Sequence, residues 1–363
     1  MMCLSSDGQF PGEDGKPARM SSACIDLSCV TAPLMSEAAW EVEALLLNVF
    51  EYGDYSLRSA LSGAYSEHLD YILCLARADG VLIGAGAALC GRRNPTVALL
   101  GPVGVLDSHR RRGIGTAIVK SLIDDLRGRG CETVYLGVSS GHPALKLYER
   151  LGFVTYSGIV RRLSLCPSAA WEQKYFSPCA RVGVRRADWG DFPGMQALLC
   201  YPGSMRTVDL SRGIFSSRYV KPARFLGLFP EIVKTCQQRG GFADVLVTQA
   251  AQSVVGFAHV CRLRGEVQRH IAQLEFYVHD SFMDQGRRLV HAMILQARSL
   301  HVGRLRCALL SGDSLKRRTV EDLGGACIAS LAASACIGGT FEDVLIYEWE
   351  EFSDRAEEGP AGS

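Results

Sequence analysis

None of the fourteen cysteines pairs with another at Cys-x-x-Cys spacing, and no cysteine and histidine cluster at zinc-ligand spacing. A structural zinc module and a disulfide framework are therefore not expected, and the thiols read as reduced and mostly buried, as in a cytoplasmic protein. The chain also lacks any apolar run near the roughly eighteen residues that a membrane span needs. Residues 1–20 carry Asp7, Glu13 and Asp14 and lack the apolar core of a signal peptide, so they are expected to be a disordered segment, as is the polar tail 353–363. Neither sign of charge is in excess: 39 Lys and Arg face 38 Asp and Glu, a net charge of +1. Nothing in that balance suggests a nucleic acid or an anionic membrane as partner.

What is present is apolar material, 48% of 363 residues, enough for two cores of ordinary size. The most informative stretch is His109-Arg110-Arg111-Arg112-Gly113-Ile114-Gly115-Thr116-Ala117. It follows an apolar run over 96–105 that reads as a strand, and it opens a segment in which Ile114, Ala117, Ile118, Leu122 and Leu126 recur at helical spacing. Two glycines one residue apart let a backbone approach a ligand closely. The first-turn N–H groups of a helix, at the positive end of its dipole, favour an anion there. The stretch reads as a pyrophosphate cradle. It has neither the Gly-Lys-Ser/Thr ending of a Walker loop nor the third glycine of a dinucleotide fingerprint.

Arg110, Gly113 and Gly115, after Val105 at the strand end, are similar to the Arg/Gln-x-x-Gly-x-Gly/Ala signature of the GNAT superfamily of acyl-CoA N-acetyltransferases. About thirty residues on, Ala144-Leu145-Lys146-Leu147-Tyr148-Glu149-Arg150-Leu151-Gly152-Phe153 fills every named position of that family's Ala-x-x-Leu-Tyr-x-x-x-Gly-Phe pattern. An alternating strand over 132–138 lies between them, in the family's order of elements. The resemblance implies acetyl-CoA as acyl donor and a primary amine as acceptor, with no metal.

It also implies roles. Val103, Gly104 and Val105 would pair through backbone atoms with the pantetheine amides, while Arg110, Arg111, Arg112, Gly113, Ile114, Gly115 and Thr116 would form the pyrophosphate site. Tyr148 would help the departing thiolate; without the resemblance it reads equally as a core aromatic on an amphipathic helix. The loop 50–55, with Glu51 and Asp54, either helps to hold the amine or is a solvated helix connection; Glu51, Asp54, Glu67 and His68 are the base candidates. The sequence departs from the family's pattern in three places. Asp107 stands where proline is frequent, Gly141 where an asparagine often contacts the cofactor, and Leu136 where enzymes that acetylate ribosomal protein N-termini carry glutamate. His142 either replaces the asparagine or caps the helix before Pro143; capping is favoured. Gly137-Val138-Ser139-Ser140-Gly141 fits a nucleophile elbow, but the helix begins too late for one.

Residues 166–180 read as a linker, and 181–352 then repeat the first half in order. The expected fold is α/β (α+β): two tandem GNAT domains, a catalytic one over 21–165 and a degenerate one over 181–352, each a mixed, mostly antiparallel sheet flanked by helices. Aligning Val278 with Val105 sets Gly286 over Gly113, Arg288 over Gly115 and Val320 over Tyr148, with Asp284 in the worn cradle. The expected function is acetyl transfer to a small-molecule amine by a cytoplasmic monomer or homodimer. The alternative is a non-catalytic CoA-binding regulatory or scaffold protein.

Overall fold

The computed structural model describes residues 25–50, 55–166, 171–178, 180–204, 225–263, 265–337 and 339–349. The first lobe runs β1 (Ile25–Thr31), α1 (Ser36–Phe50), α2 (Tyr55–Leu61), β2 (Leu69–Ala78), β3 (Val81–Gly91), β4 (Val97–Val105), α3 (Ile114–Gly128), β5 (Thr133–Gly137), α4 (Leu145–Arg150), β6 (Val154–Ser157) and β7 (Val160–Ser164). Its seven strands lie in the order β1-β2-β3-β4-β5-β7-β6, antiparallel except for β4 beside β5. Asp79 and Gly80, at φ 50° and 81°, make the tight turn of the β2–β3 hairpin, the left-handed pair that matches strand twist. Alternation along β2 sends Leu73 and Leu75 to the face covered by α1 and α2, and Ile72 and Cys74 to the face covered by α3.

The second lobe comprises β8 (Val182–Arg186), α6 (Phe192–Cys200), α7 (Leu228–Arg239), β9 (Phe242–Thr248), β10 (Val254–Arg262), β11 (Ile271–Val278), α8 (Met283–Ala297), β12 (Arg304–Leu310), α9 (Ser314–Asp322), β13 (Ala326–Ile337) and β14 (Thr340–Trp349). Its order, β8-β9-β10-β11-β12-β14-β13, repeats the first sheet strand for strand, with β11 and β12 as the parallel pair. The tandem expectation matches this. The sequence did not reveal α7, α9 or β13. β13 is built largely of Ala, Ser and Cys with most side chains exposed, so no apolar period marks it.

The presumed linker holds α5 (Trp171–Tyr175), which straps the lobes together. Trp171 meets Tyr135 edge-on at 6.1 Å, Lys174 pairs with Glu132 at 2.6 Å, and Glu172 pairs with Arg162, all on the first lobe. On the other side the Tyr175 hydroxyl accepts from the Val254 N–H at 3.1 Å, and Phe176 stacks on His279 at 4.1 Å. Helix α6 has all nine residues buried because it packs on β3 and β4 of the first sheet as well as on β10 of its own. At the junction Tyr65 stacks on Trp189 at 3.6 Å, and Arg93 pairs with Asp188. Gly91 lies so close that a Cβ there would collide with the Gly190 carbonyl.

Candidate active site

Strand β4 opens the site. It pairs with β5 only at Val97, Ala98 and Leu99, opposite Thr133, Val134 and Tyr135, and the two strands then part. Opposite β3 the register shifts after Leu100, which puts a bulge at Gly101 and Pro102; proline has no N–H to give a ladder, so a bulge suits it. Val103 and Val105 are left half-buried at the mouth of the gap, and Gly104 lies flush against Val49, 3.2 Å from where a Cβ would stand.

Beyond β4 the chain makes a short 3-10 turn at Asp107–His109 and then a left-handed turn. Arg111 has φ 63° and Gly113 φ 80°, a left-handed turn of the kind that can bring successive N–H groups to one side. The ladder of α3 starts with the Ala117 N–H bonded to the Gly113 carbonyl at 3.0 Å, so the N–H groups of Ile114, Gly115 and Thr116 precede it. The exposed side chains of Arg111 and Arg112 stand beside them. Arg110 folds back instead, its Nε donating to the Val105 carbonyl at 3.1 Å and its guanidinium paired with Asp107 at 2.8 Å.

The cradle fits a pyrophosphate. A Cβ on Gly115 would make only ordinary contacts, 3.4 Å to Leu147 and 3.9 Å to Val105, and one on Gly113 would meet nothing within 4 Å. Packing therefore does not require glycine at 115. Tyr148, on α4 across the gap, is half-buried and meets Phe153 edge-on at 5.8 Å. Burial pushes its phenol up to about 12, so it carries its proton at neutral pH.

Other expected site residues fall elsewhere. The His142 Nδ1 accepts from the Ala144 N–H at 3.2 Å, so this side chain caps the helix entry. Glu51 and Asp54 lie outside the described residues. Glu67 is 87% exposed, and His68 faces Asp188 at 3.9 Å at the lobe junction. The residues that sequence reasoning missed surround a cavity of about 50 Å³ beside the bulge. Leu57, Tyr65 and Pro102 of the first lobe and Trp189, Phe192 and Leu226 of the second line it, and none of its lining residues is charged. These positions share no sequence pattern; only the docking of the lobes joins them. No group of metal ligands occurs among the described residues, and no described helix is long and apolar enough to cross a membrane.

The second lobe lacks this turn, and its helix corrects the alignment made from sequence. α8 starts at Met283, three residues before Gly286. Gly84 faces Ile118 and Val105, and Gly256 likewise faces Leu289 and Val278; Gly115 faces Val105, and Gly286 faces Val278. Gly286 is thus the counterpart of Gly115, and Asp284 replaces Gly113. No φ is positive between Gly265 and His301.

In the first lobe the sheet thus opens between its parallel strands, and a left-handed turn leads into the helix that follows. Residues 38–153 match the model of the acetyltransferase (GNAT) family. The first lobe is a domain of that family, and the two sheets fit a tandem arrangement. The chain is 42% identical over 57 residues to the [ribosomal protein bS18]-alanine N-acetyltransferase of Escherichia coli K12, which is 15% of this chain and 38% of that one. It is 31% identical over 83 residues to the uncharacterized N-acetyltransferase CgeE of Bacillus subtilis, 23% of this chain and 32% of that one. The matches thus span about a third of these relatives' length. A ribosomal-protein-alanine N-acetyltransferase structure from Brucella melitensis aligns with TM-score 0.39 and 21% identity, over 46% of this chain and 99% of that one.

Proposed function

We propose that the first lobe transfers an acetyl group from acetyl-CoA to a primary amine of a small molecule. The left-handed turn at Arg111 and Gly113, set at the foot of the opened β4–β5 gap, carries this reading. The N–H groups of 113–116 would hold the pyrophosphate, and the backbone of Val103, Gly104 and Val105 the pantetheine arm. Bound there, acetyl-CoA supplies a thioester carbonyl for the amine to attack. Tyr148 keeps its phenolic proton and donates a hydrogen bond to the sulfur as it leaves; a thiol of pKa about 8.5 departs as thiolate without full protonation, and the attacking nitrogen gives its proton to solvent. Position then does most of the rest, since holding amine and thioester together removes the entropic part of the barrier. Where the family's ribosomal enzymes carry glutamate, Leu136 is buried at 3% exposure and holds no proton, which favours a small acceptor over a protein N-terminus.

The test is free-thiol release from acetyl-CoA with a panel of primary amines, alongside calorimetric titration of the cofactor. One site per chain with amine-dependent release is expected. Binding without release would favour a non-catalytic CoA-responsive protein, and no binding would overturn both readings.

A further inference from the structure

Given the proposed transfer, we infer that the acceptor is an amine with an apolar body, and that the second lobe, not the first alone, selects it. The second lobe roofs the opening in the first sheet. Phe225 presses on the backbone of β5, where a Cβ on Gly137 would lie 2.8 Å from the Phe225 Cβ, and the next residue, Leu226, lines the cavity together with Pro102 of the β4 bulge. Two consecutive residues thus span the strands that part.

The cavity opens on the sheet face of α1 and α2, whereas Tyr148 packs on the face of α3. An amine seated in the cavity therefore approaches the gap from one side, and the sulfur leaves toward Tyr148 on the other. At about 50 Å³ the cavity holds a few water-sized groups, at roughly 10–15 Å³ each, which suits a short alkyl chain or the edge of a ring. Its lining of Leu57, Tyr65, Trp189, Phe192 and Leu226 offers no carboxylate to a polycation. Apolar surroundings also disfavour a charged ammonium and lower its pKa, so they supply neutral nucleophile where β4 has neither an acid nor a histidine to act as base.

The experiment compares phenylethylamine and hexylamine with spermidine in thiol release. It also follows quenching of Trp189 fluorescence by phenylethylamine on CoA-loaded protein, with Trp189→Phe to assign the signal. We expect kcat/KM at least about 10-fold higher for the two apolar amines. Leu226→Ala should raise their KM about 10-fold and leave acetyl-CoA affinity unchanged. Release with spermidine preferred, or with no preference, would overturn the apolar acceptor while leaving the transfer reading intact. Quenching at Trp189 without release from any amine would do the reverse. Absence of both would overturn the inference outright.

Discussion

Strands β4 and β11 follow the same course: each pairs in parallel with the next strand over three residues, and each ends on a valine. There the likeness stops. β4 bulges at Gly101 and Pro102 and leaves Val103 half-buried, whereas β11 keeps an unbroken register with β10 and is buried from end to end. The counterpart of Val103 is Phe276, with the ammonium of the buried Lys316 4.8 Å above its ring, so two large buried side chains pack where the first lobe has a half-buried valine. Ten steps of chain separate Val105 from Gly115, but only eight separate Val278 from Gly286; the left-handed turn is missing from the shorter path. Val320 stands in the place of Tyr148, and the Gly325 and Phe153 N–H groups bond back to them alike, at 2.9 and 3.0 Å. Packing of the sheet preserves a topology through changes that remove the left-handed turn, because the core depends on the apolar faces and the proposed site depends on a few backbone conformations.

That contrast breaks most sharply at Gly113. Gly113→Asp copies Asp284 into a left-handed position and sets a carboxylate in the anion nest. It should weaken acetyl-CoA about 100-fold or more, combining about 1–2 kcal/mol of backbone strain with charge repulsion. Calorimetry reads this, with circular dichroism to confirm the fold; affinity within threefold of the parent would remove the turn from the cofactor site. Tyr148→Phe should cut turnover about 10- to 1000-fold and leave cofactor affinity in place. An unchanged rate would return Tyr148 to the core. Because burial raises its phenol to about 12, turnover should not decline on its account between roughly pH 9 and 10, where an ordinary phenol near 10 would be losing its proton.

A smaller effect separates the lobes physically. Gly91→Ala drives a methyl into the Gly190 carbonyl, so the junction must shift, and stability should fall by about 1–3 kcal/mol in thermal unfolding. Smaller again is the acid response of the strap. Burial lowers His279 to about 4, so the folded protein holds it neutral while an unfolded chain takes up a proton from about pH 6.5 downward. Its contribution is complete above about 6.5 and is lost as pH falls toward 4. Tm should drop between pH 7 and 5, and less so in His279→Phe, which keeps a ring against Phe176.

The central strands β4 and β5, and the glycine turn between β4 and α3, were legible because their signals are local: alternation, a glycine pair, a helix period; β13, which has no apolar period, was not. Arg110 and His142 belong to the right segments but turn to backbone groups nearby, Val105 and Ala144, which a motif cannot distinguish from contact with a ligand. The register of α8 was misread because sequence alignment tracks residue type, whereas Gly286 is fixed by what its absent side chain would strike. The cavity was invisible for a different reason. Pro102, Trp189 and Leu226 meet only through the strap and the docking of α6, and no sequence spacing encodes that.

The buried α6 has a thermodynamic consequence. One apolar core runs without a break from Leu73 and Leu99 of the first sheet, through Trp171 of the strap, to Phe229 and Trp349 of the second lobe. Neither repeat can open without exposing the apolar surface of the other, so the cost of melting one falls on both. Differential scanning calorimetry should record one transition with matching calorimetric and van't Hoff enthalpies: two units by topology, one by cooperativity.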